Sequence, residues 1–409
     1  MCMVTVVGTG VGPGDLTELH SKAIQNADVL VGGKRQLALF AGQTGSIWAL
    51  GANPTTTLEE VKQECAGKRV VILASGDPLF FGIGKRALEI FGHDSVVFMP
   101  NVTALQKAFA RIKLPWNGAR TISVHGRKAT DIFPELAYPG LIVIYTDPGN
   151  TPDRLAQLFL EFGMPDRKVA VVENIGSDDE RLWEMDLLRA AVKRFAPLNV
   201  MILYPVEEQR QLTRLGLADD CFVKEKSLIT KEEARAVILA KLRLKPGGVM
   251  WDVGAGSGSV GIEAVRIAPG LRVYAVEREQ ARIEMIQENV LRLDGFGVKP
   301  IRGQAPDALT DLPNPERVFI GGSGGRLVEI LKVVENRLLK EGRVVVSVVT
   351  PETFARAQKY VATTTLTHEW LILQLSRSVP IRSEKPTPEG SLLSRFQPQT
   401  PLFVLSLWR

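Results

Sequence analysis

Three stretches in the second half of the 409-residue chain have the residue types and spacing to hold a nucleoside. Strand-like Val249–Val253 runs into Gly254-Ala255-Gly256-Ser257-Gly258, where missing Cβ atoms let the backbone turn tightly and approach a ligand. The next strand-like run, VYAVE, ends on Glu277, 19 positions beyond Gly258. A carboxylate at that strand tip can accept both ribose hydroxyls. A third strand leads into GQAPDAL, whose backbone near Ala305 is placed to border an adenine ring. The glycine turn by itself equally suits a tight strand–helix turn that binds nothing, or loosely a dinucleotide fingerprint. Having all three features in register is what points to a nucleoside.

The first half carries a second set. A strand meets Gly8-Thr9-Gly10-Val11-Gly12-Pro13-Gly14-Asp15, a rigid, ligand-approaching loop in which Asp15 can cap the following helix. It lacks the Lys-Ser/Thr of a phosphate-binding P-loop. Ser75-Gly76-Asp77-Pro78 follows another strand, and Asn101-Val102-Thr103-Ala104 opens a helix. His125 and Asp77 are the polar candidates for a catalytic role at this site, and Arg127 for pairing with a substrate carboxylate. His125 reads equally as a hydrogen-bonded loop histidine and Arg127 as a surface arginine. In the second half, Arg317–Ile320 runs into Gly321-Gly322-Ser323-Gly324-Gly325, with room at a sheet edge for something flat and large, or simply a flexible turn. Between strand-like Trp370–Ser376 and Pro401–Trp408 an Arg- and Pro-rich loop offers Arg377, Arg382, Lys385 and Arg395 to substrate carboxylates, or to solvent.

The elements that must position these residues are Val- and Ile-rich runs alternating with amphipathic stretches, such as Val4–Val7, Val70–Leu73, Val169–Glu173, Val273–Glu277 and Val344–Val348. These predict an α/β protein with largely parallel, buried sheets. The polar stretch 205–214 separates a first domain, 1–210, itself two-lobed with a junction near Pro100–Pro115, from a second, 215–409. Thr230, with Glu233 three residues on, predicts a capping box at the start of the second domain's first helix.

Composition excludes other classes. Three scattered cysteines and four histidines without ligand spacing predict neither a disulfide framework nor a metal site. The N-terminus reads as a strand rather than a signal peptide, and no apolar run is long enough for a membrane span, so a cytoplasmic location is expected. The formal charge of +5 lies wholly in the second half: 23 basic and 23 acidic residues precede position 215, and 27 and 22 follow. That suits a small polyanionic substrate. A nucleic-acid methyltransferase is the alternative enzyme, but no Asn/Asp-Pro-Pro-aromatic motif follows the fourth strand and no Lys/Arg run is clustered. The remaining alternative is a non-catalytic sensor or carrier that binds a tetrapyrrole or S-adenosylmethionine.

The opening GxGxGPGD, the SGDP loop and the N-V-T-A helix start resemble the tetrapyrrole (corrin/porphyrin) methylase family over about residues 1–205. VGGKRQLALF, SVHGR and ENIGSDDER resemble its branch acting on cobalamin precursors. The second half is similar to class I S-adenosylmethionine (SAM) methyltransferases, and DVGAGSGS, AVERE, GQAP and FIGGSGG to those that methylate and decarboxylate a corrin precursor. The resemblance implies a two-lobed N-terminal methylase domain and a Rossmann-like C-terminal domain, each with its own SAM site. It implies SAM contacts at Pro13, Ser75, Gly76, Asp77, Phe80, Thr103 and Ala104 in the first, and at Thr230, Gly254, Ala255, Gly256, Ser257, Gly258, Glu277 and Ala305 in the second. Gly322, Ser323, Gly324, Arg377, Arg382 and Arg127 are the substrate-contact candidates. The implied reaction is methylation of a tetrapyrrole at carbons 5 and 15 with loss of carbon dioxide from the ring C acetate, by a homo-oligomer without a resident metal, nucleic acid or membrane partner. Some tetrapyrrole methylases place a catalytic Asp after the second strand; here Gly32-Gly33 stands in that region, so no general base is expected there.

Overall fold

The computed structural model describes residues 3–40, 42, 45–51, 53–136, 138–206, 215–225, 229–380 and 394–409. The chain divides into two compact units. The first comprises Met1–Arg127, Gly140–Leu155 and Arg167–Val206; the second comprises Lys128–Pro139, Ala156–Asp166 and Glu207–Arg409.

The first unit holds two sheets. Strands β1 (Met3–Gly8), β2 (Val29–Gly32), β3 (Ser46–Ala49), β4 (Arg69–Ala74) and β5 (Val96–Met99) form an all-parallel sheet in the order β3-β2-β4-β1-β5. Both faces are covered: Val70 and Ile72 pack with Val4, Val6, Leu58 and Val61, while Val71 and Leu73 pack with Val7, Ile24 and Leu30. That burial is why the runs are continuously apolar rather than alternating.

Strands β6 (Arg120–Ser123), β7 (Ile142–Tyr145), β8 (Lys168–Glu173), β9 (Arg181–Asp186) and β10 (Asn199–Leu203) form the second sheet, ordered β6-β7-β10-β8-β9. Only β6 and β7 are parallel, which corrects the expectation of largely parallel sheets throughout. Buried apolar runs report coverage of both faces, not direction. Direction follows from the connection, and the seven residues between β8 and β9 are too few for a parallel crossover, which needs about a dozen. The helix Ala104–Ile112 buries Leu105, Ala108 and Phe109 against Val143, Ala170, Val172 and Ile202 of this sheet.

The second unit is a seven-stranded sheet. Its members are β11 (Val249–Val253), β12 (Arg272–Glu277), β13 (Val298–Arg302), β14 (Arg317–Ile320), β15 (Arg343–Val348), β16 (Thr367–Leu373) and, after a hairpin of β17 (Ser376–Pro380) and β18 (Ser394–Pro398), β19 (Leu402–Trp408). The order β13-β12-β11-β14-β15-β19-β16 reverses direction at β11/β14. The first five strands are parallel and β19 runs antiparallel between β15 and β16. Open α/β sheets bind ligands at such a switch point, beyond the carboxyl ends of the strands. The expected loop from 377 to 400 is thus in part a hairpin: Arg377 sits on β17 and Arg395 on β18. Arg382 and Lys385 lie outside the described residues. Among the described residues no helix is long and apolar enough to cross a membrane.

Candidate active sites

In the second unit the predicted residues converge at the β11/β14 switch point. Gly254, Gly256 and Gly258 all take the left-handed backbone that favours glycine, with φ of 70°, 58° and 76°. At Gly254 the reason is also contact: a Cβ there would lie 2.5 Å from the carbonyl oxygen and 2.6 Å from the amide nitrogen of Gly322. The loops after β11 and β14 therefore touch backbone to backbone. A cleft of about 150 Å³ opens beside them, lined by Gly254, Glu277, Ala305, Gly322, Ser323 and Gly324 among the predicted residues. Arg278, Arg282 and Gln304 also line it, and sequence reasoning passed over them. For Arg278 and Gln304 the signal was present in AVERE and GQAP, where the long side chain follows the strand tip directly; Arg282 lies in the first turn of the helix Gln280–Arg292.

Glu277 is buried and prearranged. Its Oε2 accepts the Gly256 amide at 3.1 Å, and its Oε1 accepts the amides of Arg278 and Glu279 at 3.0 and 3.3 Å. Arg282 stands 3.9 Å away. Ala255 and Ser257 belong to the turn rather than to the cleft wall: the Ala255 amide donates to Val276, and the buried Ser257 carbonyl accepts from Asn289 Nδ2 at 2.9 Å.

Thr230 does not cap its helix. The helix spans Glu232–Leu242 with Lys231 at the cap, and no side chain caps it. The buried guanidinium of Arg235 takes the Thr230 carbonyl instead, and Glu233 makes a two-pronged pair with Arg377 at 2.6 and 2.9 Å rather than closing a capping box. Arg377 is thereby committed to a protein carboxylate.

Behind the glycine turn lies Asp252, fully buried, with Oδ2 accepting the Gly261 amide at 3.1 Å and Oδ1 lacking a partner among the described residues. Burial pushes its carboxyl up to about 7; the Gly261 amide opposes this and the charge of Glu277 adds to it. A folded pKa above the ordinary 3.8 means the folded state holds the extra proton between those values. Stability of this unit should therefore fall as pH rises through that window, by at most about 1.4 kcal/mol per pH unit. In Asp252→Asn that slope should flatten. Melting temperatures of the two proteins compared across the window check it; parallel curves would contradict the assignment.

In the first unit, three loops meet. The Gly76 amide donates to the Gly10 carbonyl at 2.9 Å, a Cβ on Gly8 would strike the Gly76 carbonyl at 2.4 Å, and one on Gly76 would touch Thr103 Cα at 3.3 Å. The loops carrying Pro13, Ser75 to Asp77, and Thr103 with Ala104 are thus one cluster. Pro13 begins a single 3₁₀ turn. Ser75 Oγ accepts from Gln36 Nε2 at 2.7 Å. Thr103 caps the helix Ala104–Ile112 in a capping box with Gln106. Phe80 packs edge-on against Tyr145, 6.0 Å between centroids. The Tyr145 hydroxyl accepts the Leu105 amide at 3.0 Å, and burial pushes its pKa up to about 12, so it stays protonated.

Asp15 does not cap the helix that follows, which Thr17 caps. It closes its own loop, accepting the amides of Val11 and Gly12 at 2.8 and 3.0 Å and pairing with Lys107 at 2.7 Å. Burial raises the Asp15 carboxyl, but these contacts outweigh it and hold the pKa below the ordinary value. Asp77 likewise spends Oδ1 on the Leu79 amide of its own turn. His125 and Arg127 are exposed on the loop after β6. Among the described residues neither side chain forms a hydrogen bond or ion pair with the three glycine loops. Asp147 and Asn150 tie that loop to the one after β7 instead.

The family model for tetrapyrrole (corrin/porphyrin) methylases matches residues 3–191, and that for the precorrin methyltransferase domain matches residues 220–383. A precorrin-6Y C(5,15)-methyltransferase [decarboxylating] of Sinorhizobium sp is 31% identical over 355 residues, covering 85% of each chain. The chain belongs to the precorrin-6Y C(5,15)-methyltransferase (decarboxylating) family. Two single-activity relatives from Salmonella typhimurium divide it. A cobalt-precorrin-7 C(5)-methyltransferase is 35% identical over 202 residues, 49% of this chain and 98% of that one. A cobalt-precorrin-6B C(15)-methyltransferase (decarboxylating) is 32% identical over 192 residues, 46% and 94%. As a member of this C(5,15)-methyltransferase family, the protein is a decarboxylating C-methyltransferase with two methylase units in series.

Proposed function

We propose that this protein adds two methyl groups to a cobalamin-precursor tetrapyrrole, at carbon 5 in the first unit and at carbon 15 in the second. The second unit also releases carbon dioxide from the ring C acetate, and SAM is the donor at both sites. The observation that carries this reading is the presence of two separate glycine-loop clusters, one in each unit, each built from backbone contacts that a Cβ would break.

The second cleft fits the donor. Glu277 presents a buried carboxylate whose oxygens are held in place by three backbone amides, which leaves Oε2 an acceptor site for a ribose hydroxyl. Gly303 to Ala305 wall the position of the base, and the turn at Gly254 leaves backbone, not side chain, facing the methionine tail. In the first unit the loops bearing Pro13, Ser75, Gly76, Asp77, Thr103 and Ala104, with Phe80, take the same role. Bound SAM supplies an electrophilic methyl group on a sulfonium sulfur. The protein aligns that carbon with an electron-rich macrocycle carbon and excludes water. The nucleophilic electron pair comes from the substrate, and the conjugated macrocycle is the electron sink for decarboxylation. The Gly321 to Gly325 loop, free of Cβ atoms except at Ser323, leaves space for the flat ring beside the second cleft.

Titrating the full-length protein with SAM by calorimetry should show two sites. Glu277→Gln weakens the charge-assisted hydrogen bonds to the ribose and should lower affinity at one of them by roughly 100-fold, leaving the other unchanged. A single site in the wild type, or equal weakening of both by the variant, would contradict the reading.

A further inference from the structure

The stretch VGGKRQLALF, Val31 to Phe40, supplies none of the predicted donor contacts. Its place in the sheet nevertheless brings it to them. β2 and β4 are parallel neighbours, with Val29 opposite Val70 and Val31 opposite Ile72, so the loops leaving their carboxyl ends run side by side. Past β2 the chain turns at Gly33 into the short helix Lys34–Ala38. Past β4 it enters Ser75-Gly76-Asp77-Pro78. From that helix Gln36 reaches across, and its Nε2 donates to Ser75 Oγ at 2.7 Å.

The Gln36 side chain is confined. A Cβ on Gly33 would lie 2.4 Å from Gln36 Oε1, so a side chain at position 33 would push the amide away from Ser75. The direction of the bond matters more than its length. A hydroxyl oxygen that accepts one N–H must aim its own hydrogen elsewhere. Among the described residues no protein group accepts that hydrogen. Ser75 is exposed beside Gly76, whose amide is bonded to Gly10 of the opening loop at 2.9 Å. The Ser75 hydroxyl is therefore left free as a hydrogen-bond donor where the glycine loops meet.

We propose that Gln36 is a positioning residue for the first methyl transfer: it holds the Ser75 hydroxyl as a donor to an acceptor oxygen of SAM. The inference rests on the function proposed above, which assigns these loops to SAM. SAM offers such acceptors in its carboxylate and its ribose, and a hydroxyl that is already oriented loses less freedom when the ligand binds. Gln36 takes no part in the methyl transfer itself; it acts through Ser75.

The test is a double-mutant cycle in the full-length protein. It is read as SAM affinity by calorimetry and as the Michaelis constant for SAM in the carbon-5 step by mass spectrometry. Ser75→Ala should weaken SAM at one site by roughly three- to tenfold, the loss of one hydrogen bond. Gln36→Glu keeps the shape but, ionised at neutral pH, can only accept. It should turn the Ser75 hydrogen toward itself and weaken SAM about as much as Ser75→Ala does. Gln36→Leu frees the hydroxyl without turning it and should cost less than Gln36→Glu. In the Ser75→Ala background neither Gln36 variant should weaken SAM further, because the route through the hydroxyl is gone. The other SAM site and the carbon-15 step should be unchanged throughout and serve as the reference within the same molecule. Gln36 variants that weaken SAM equally with and without the Ser75 hydroxyl, or that leave its affinity unaltered, overturn the proposal. So does a Ser75→Ala protein with wild-type affinity at both sites. A wild-type protein that binds SAM at one site only, or leaves carbon 5 unmethylated, defeats the function on which the proposal rests, a distinct result.

Discussion

Gly254→Ala should abolish methylation and decarboxylation in the second unit while sparing the first, so that the tetrapyrrole gains one methyl group and keeps its acetate. The added Cβ would meet the backbone of Gly322 at 2.5 to 2.7 Å. Neither partner is a side chain that can swing aside, so the carboxyl ends of β11 and β14 must separate. A displacement of this size at the donor site costs roughly 100-fold or more in rate, and SAM affinity at that site should fall with it. Gly256→Ala is the matched control. It shares a left-handed φ of 58° but would place its Cβ with nothing within 4 Å, so it should cost only the backbone preference, about 1 to 2 kcal/mol. Product mass and SAM titration of both variants check this. Equal effects would show that conformation, not the contact with Gly322, makes the glycine necessary.

The second large effect concerns stability. Arg235 is completely buried, with Nε 3.0 Å from Glu263, Nη1 2.9 Å from Asp219 and bonded to the Thr230 carbonyl, and Nη2 donating to the Leu217 carbonyl. Glu263 is equally buried and accepts the amides of Gly216 and Leu217. This one guanidinium therefore fastens Leu217, Asp219 and Thr230 to the helix Ser259–Ile267 that follows the glycine turn. Arg235→Ala leaves Glu263 as an uncompensated buried charge, at a cost of about 3 to 5 kcal/mol. For a unit of this size the melting temperature should fall by roughly 10 °C. Arg235→Met combined with Glu263→Leu removes both charges and refills the space, so it should be less destabilised than Arg235→Ala alone. Thermal melts of the three proteins decide it; a double variant at least as unstable as the single one would contradict the buried-charge account.

Much of this was legible in the sequence because glycine position and strand-end chemistry are local. The turn at Gly254 to Gly258, the acid at Glu277 and the loop at Gly322 to Gly324 each follow a strand, and a parallel sheet brings successive strand ends to one edge. What was not legible depends on partners far along the chain. Thr230 and Glu233 have the spacing of a capping box, yet Arg235 draws the Thr230 carbonyl inward and Arg377, on a strand 144 positions away, takes Glu233. The antiparallel pairing of β8, β9 and β10 was hidden because apolar runs encode burial and not direction.

The proposed reaction is two methyl transfers and one decarboxylation on a single tetrapyrrole, carried out by one chain. Mass spectrometry of the product formed by the full-length protein, SAM and the precursor tetrapyrrole, offered metal-free and cobalt-loaded, tests it most directly. The expected wild-type product has gained two methyl groups and lost one carbon dioxide, and the expected Gly254→Ala product has gained one methyl group and lost no carbon dioxide. Two methyl groups from the Gly254→Ala protein, or neither substrate altered by a wild-type protein that binds SAM, would contradict it.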